Sequence, residues 1–168
     1  MKKKSKKTFF TVLVVVVVGF SMLGVGGSFS QIWGGPSYEG KTVREIAMDC
    51  TLDMYTKFHI HPNLAIIVNG EPQTLPANIG VRYGCMNPLH AHDETGKIHV
   101  ESPVQRDFTL GDFFAVWEKT FSKEQIFEHK TDAEHEIVMT VNGSPSDAYE
   151  NLIFEDEQKI VIEYRIRQ

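Results

Sequence analysis

Hydrophobic and polar positions change period several times along this chain, and each change marks an element. Residues 9–25, FFTVLVVVVVGFSMLGV, contain no charge and follow the basic cap MKKKSKK. A helix of about 20 apolar residues spans a bilayer core, and flanking lysines stay on the cytoplasmic side. The segment reads as an uncleaved anchor, or as a signal peptide cleaved after Ser28-Phe29-Ser30. Either reading places the remainder outside the cytoplasm. The apolar run is not closed by a cysteine, so a cysteine-linked lipid anchor is excluded.

Residues 31–41 are rich in Gly, Pro and Ser and read as a linker. Thr42 and Glu45 then form a T-x-x-E capping box. Val43, Ile46, Ala47, Cys50 and Met54 continue at helical spacing, which predicts a short helix over about 43–53. LAIIV at 64–68 runs into Asn69-Gly70, a strong hairpin signal. The return strand is expected at 73–81, confined by Pro76 to an edge or a bulge. LHAHDETGKIHVE at 89–101 reads as a second, smaller hairpin. From Thr109, capped by Asp112, the residues Leu110, Phe113, Phe114 and Trp117 form the chain's strongest helical stripe, expected over 110–120 and read as core packing. EIVMTVNG at 136–143 is a strand ending in a second Asn-Gly. KIVIEYRIR at 159–167 alternates cleanly, with Ile160, Ile162, Tyr164 and Ile166 expected on one face.

Composition narrows the function classes. Beyond residue 30 the chain carries 12 basic and 22 acidic residues, a net charge of −10. That balance argues against nucleic-acid binding and tolerates nearby cations. Residues 42–168 are long enough for one domain with its own core. Cys50 and Cys85 are the two cysteines. In an oxidising compartment such a pair is most simply a disulfide, and the alternative is a thiolate that joins the histidines on a metal.

The order hairpin, helix, strand, strand implies an α+β fold with one helix across a small mixed sheet. Over residues 64–168 this order and its turn positions resemble the β-grasp, or ubiquitin-like, fold. LAIIVNGEPQTLPANIGV would supply the first hairpin, the helix at 110–120 would cross the sheet, and 136–167 would supply the second half. Residues 82–102 would then be a His-rich insertion between the second strand and the helix. The chain ends RIRQ rather than Gly-Gly, so modifier and sulfur-carrier chemistry is not expected. Two cysteines cannot supply the four that an iron–sulfur ferredoxin of this fold needs.

The histidines carry the chemistry. FHIHP at 58–62 and LHAH at 89–92 are two H-x-H pairs, and on a strand residues i and i+2 share a face. If DETG is a four-residue turn, His90 lies opposite His99 and His92 opposite Lys97, so His90, His92 and His99 share one face. Leu89, Ala91, Ile98 and Val100 would form the other face, and a one-residue slip would dissolve the arrangement. His59, His61, His90, His92 and His99 are therefore candidate ligands for Cu(II) or Zn(II), both of which accept imidazole nitrogen. Asp93, Glu94 and Glu101 are candidate extra ligands or orienting partners. A Cys50–Cys85 bridge would help to bring the two H-x-H pairs together. The order Cys85, Met86, His90 does not match the ligand spacing of a blue-copper centre. His129 and His135, in the charged stretch EHKTDAEHE, are expected to be solvated.

These features predict an exported, membrane-anchored or secreted, metal-binding protein that is non-catalytic. The alternatives are a ubiquitin-like interaction module with incidental surface histidines, and a small metal-dependent enzyme.

Overall fold

The computed structural model describes residues 37–52 and 56–167. The basic cap, the apolar run at 9–25 and most of the linker lie outside the described residues. Among the described residues no helix is long and apolar enough to cross a membrane.

Helix α1 spans Val43–Met48 and starts with the expected capping box: Glu45 N–H donates to Thr42 Oγ1, and Thr42 N–H donates to the Glu45 carboxylate. It buries Ile46 and Ala47. The helix stops about five residues short of the expected end. Asp49 is already extended, Cys50 is disulfide-bonded to Cys85, and Thr51 exchanges backbone hydrogen bonds of 3.1 and 3.0 Å with Met86. Those ties hold the backbone extended and outweigh the helical spacing of the next residues.

The largest sheet contains β2 (Asn63–Val68), β3 (Glu71–Gln73), β11 (His135–Val141), β12 (Ser144–Pro145) and β13 (Lys159–Ile166), in the order β12-β11-β13-β2-β3. β13 lies at the centre, parallel to β2 and antiparallel to β11. Its Ile160, Ile162 and Tyr164 are buried, as their alternation requires. Ile166 is exposed instead, because it pairs with His135 at the very start of β11, where the sheet ends. Both Asn-Gly turns form as the sequence implies. Asn69, Gly70, Asn142 and Gly143 all have positive φ, the signature of the tight turns that match strand twist.

The return strand is shorter and earlier than expected. Only Glu71–Gln73 pairs with β2. The chain then leaves the sheet so that Leu75 and Ile79 enter the core, and Val81–Arg82 (β4) pairs with Cys85–Met86 (β5) in a separate small hairpin. Pro76 has no N–H to donate to a ladder, which suits this departure.

A second sheet has three strands: β1 (Phe58–Ile60), β7 (His99–Ser102) and β6 (Leu89–His90), with β7 in the middle. A third, formed by β8 (Phe121–Ser122), β9 (Gln125–Ile126) and β10 (His129–Lys130), follows the second helix and was not foreseen from the pattern. That helix, α2, spans Leu110–Val116 and ends earlier than its stripe suggests, with Glu118 at positive φ. Leu110, Phe113 and Phe114 are buried in a core shared by both helices and all three of these sheets, and Trp117 packs against it. Asp112 serves two ties at once: it accepts from Thr109 at the α2 cap and from Arg44 of α1 at 2.6 Å.

The DETG turn is docked rather than free. Leu64 N–H donates to Gly96 C=O at 2.8 Å, and Ile98 N–H donates to Pro62 C=O at 2.9 Å. A Cβ on Gly96 would stand 2.3 Å from Leu64 O, and its φ is +84°. Gly70 has a similar φ of +85° but open space around it. Gly70→Ala should therefore cost about 1–2 kcal/mol of conformational strain, and Gly96→Ala clearly more, because backbone must also move. Urea denaturation of the two variants checks the difference; equal losses would mean that the turn is not held against β2.

Candidate metal centre

The three-stranded sheet sorts its side chains by alternation. In β7, Val100 and Ser102 are fully buried on the core side, and His99 and Glu101 face the other way. On one edge, Ile60 of β1 pairs with Val100 and His59 pairs with Glu101. On the other, Leu89 of β6 pairs with Val100 and His90 pairs with His99. The expected His90–His99 register is thus observed. Ala91 and Ile98 are fully buried, also as expected, but Lys97 bridges to Asn63 rather than to His92. The ladder opens after His90 because Ala91 N–H is taken by Ile79 C=O at 2.9 Å.

All five candidate histidines meet. Ring centroids lie 4.4 Å apart for His59–His61, 4.8 Å for His61–His99, 4.8 Å for His92–His99, 4.7 Å for His90–His92 and 5.3 Å for His90–His99. Two groups of three present ligand atoms within 4.8 Å of one another: His59, His61 and His99, and His90, His92 and His99. His99 belongs to both. These triads are geometrically able to hold a metal ion.

His90 is the most constrained member. It is fully buried, and its Nδ1 lies 2.9 Å from the Asn87 carbonyl oxygen. A carbonyl only accepts, so Nδ1 carries the proton and Nε2 keeps its lone pair. That lone pair faces His92 Nε2 at 3.2 Å. Burial pushes the His90 pKa down from 6.5 to about 4, so the ring stays neutral. His99 is lowered too, by burial first and then by the neighbouring His92 and His61. His99 Nδ1 is buried without a hydrogen-bond partner; the nearest carboxylate oxygen, Glu101 Oε1, lies at 3.5 Å. A buried nitrogen left unpaired is uncommon and points to a ligand or a water.

The Asn87 carbonyl that orients His90 is itself well fixed. Asn87 Nδ2 donates to Ala47 C=O at 3.1 Å, and its backbone N–H donates to Gly80 C=O at 2.8 Å. Gly80 has φ +70°, and a Cβ there would meet Leu89 O at 2.6 Å. Helix α1, the disulfide and the Gly80 turn therefore all converge on one ring.

Carboxylates surround the other triad. Glu101 Oε1 is 3.0 Å from His59 Nε2. His61 donates its backbone N–H to Asp156 Oδ1 at 2.8 Å, and its ring groups with Asp156 and Glu157. Asp156 and Glu157 precede β13 and sit some hundred residues away in sequence, so nothing in the local pattern could have nominated them. Asp93 does not take part: it accepts from Thr95 N–H and Oγ1 at 2.9 and 2.6 Å. Glu94 flanks the groove beside Leu64 and Gly96 instead. The Cys50–Cys85 bridge is formed, which rules out the thiolate ligand. His129 and His135 are not simply solvated: their rings lie 5.1 and 5.2 Å from that of Tyr164, and Asp132 holds His135 Nδ1 at 3.0 Å.

Compared with known families, curated proteins and solved structures, the chain matches none.

The depressed His90 pKa sets a pH dependence. In the metal-free chain the unfolded state takes up one more proton at this ring between about pH 6.5 and pH 4. The stability His90 contributes is complete above that window and is lost as the pH falls through it, by up to about 1.4 kcal/mol per pH unit. Urea denaturation at pH 7 and pH 5 should show a steeper loss for wild type than for His90→Gln. Equal slopes would count against a buried neutral ring.

Proposed function

We propose that this chain is an extracytoplasmic, membrane-tethered protein that binds divalent copper or zinc through His59, His61, His90, His92 and His99. One observation carries the reading. His90 has its Nδ1 proton committed to a backbone carbonyl and its Nε2 lone pair turned to His92 Nε2 at 3.2 Å, within the triad that His99 completes. That is how a metal-ligating histidine is usually held, with the far nitrogen tied to an outer partner. A histidine that merely decorates a surface has no need of full burial or a fixed tautomer.

The Cys50–Cys85 disulfide suits an oxidising compartment, in keeping with the apolar run at 9–25. The β-grasp likeness is supported by the strand order, in which the first and last strands of the large sheet run parallel beside each other, each with an antiparallel neighbour on its other side. In that reading residues 42–168 form one domain, with β6 and β7 in a His-rich insertion at 82–102 and β1 ahead of the first β-grasp strand. The fold does not choose the function; the site does.

The test uses the intact, untagged chain stripped of metal. Wild type should hold Zn(II) or Cu(II) more tightly than micromolar in chelator competition. His90→Ala/His92→Ala should bind at least about 100-fold more weakly, beyond the 10–100-fold that losing an outer partner costs. Unchanged affinity in the double variant would sink the proposal.

A further inference from the structure

The two triads meet at a single ring, and that limits how they can be filled. His59 and His61 approach His99 from the β1 edge, and His90 and His92 approach it from the β6 edge. A neutral imidazole offers one lone pair, since its other nitrogen carries a proton. His99 can therefore complete one triad or the other, and serving both at once would require loss of its second proton. Two dipositive ions on either side of one ring would also repel each other. Resting on the metal-binding reading above, we propose that the histidine face is one site with two competing ion positions, between which a single ion passes by exchanging the partners of His99.

The surroundings distinguish the positions. The β6-side position has the buried, pre-oriented His90, so it is the tighter one. The β1-side position is ringed by carboxylates: Glu101 Oε1 at 3.0 Å from His59, with Asp156 and Glu157 beside His61. His59 is half-exposed there, with 47 % of its side chain accessible, and His92 is the exposed member of the other triad, so each position has one ligand open to a donor or acceptor of the ion. His99, the common ring, has its Nδ1 buried and without a hydrogen-bond partner. Its nearest partner is the long 3.5 Å contact to Glu101 Oε1. An ion released from the tight position can be taken up at the carboxylate-lined one, with His99 completing whichever triad is filled. Such an arrangement suits delivery rather than permanent storage.

Isothermal titration of the intact, untagged chain with Zn(II) alone decides between the possible distributions. Wild type should take up one equivalent. His59→Ala/His61→Ala should also take up one, within about threefold of wild-type affinity. His90→Ala/His92→Ala should retain one equivalent, at least 100-fold weaker, at the β1-side position. His99→Ala should abolish both, as should His99→Gln, which keeps a polar group of similar size if the alanine variant fails to fold. Two equivalents in wild type, or no residual binding in His90→Ala/His92→Ala, would overturn the shared-ligand proposal and leave the metal-binding reading standing. No binding in wild type would overturn both.

Discussion

Strand β7 is hydrogen-bonded along both edges, to β1 on one side and β6 on the other, and its register decides the site. Val100 is fully buried, with Ile60 and Leu89 as its cross-strand partners. A slip of one residue would turn His99 and Glu101 into the core and Val100 out to the histidine face. Burying a carboxylate and an imidazole there without partners would cost several kcal/mol. Apolar packing on the inner face thus fixes the outer face, and the meeting of the histidines follows from it. Gly96, pressed against Leu64, holds the far end of the same strand pair to the large sheet.

A second line of constraint runs from α1 to His90. The capping box starts a helix of barely two turns, which by itself would not persist in water. The Cys50–Cys85 bridge, the Thr51–Met86 bonds and the Arg44–Asp112 pair hold it in place. The helix then offers Ala47 C=O to Asn87, which sets the carbonyl that fixes the His90 tautomer. The disulfide acts on the site through this chain of contacts.

Much of this could be read in the local pattern. The Asn-Gly turns, both capping boxes, the α2 stripe and the alternation of β13 depend on residues a few positions apart, whose geometry is nearly independent of the rest of the fold. The His90–His99 register could be read for the same reason, since a short turn leaves few pairings that keep Leu89 and Val100 on the buried side. Element lengths were less legible. The first helix and the return strand are both cut short by partners distant in sequence: the disulfide with Cys85 in one case, and core burial of Leu75 and Ile79 in the other. The β8–β10 sheet has strands of two residues each, too short to display a period.

The sequence by itself determined the residue types at issue, the face that each H-x-H pair shares, and the cysteine pair available for a bridge. These follow from the two-residue repeat of a strand and from simple counting. Only the tertiary structure decided that β1 docks on β7, that Asp156 and Glu157 reach His61, and that His99 is common to both triads. Those are contacts between segments some 40 to 100 residues apart. Their energies depend on which surfaces the core leaves free to pair, and no local period records that choice.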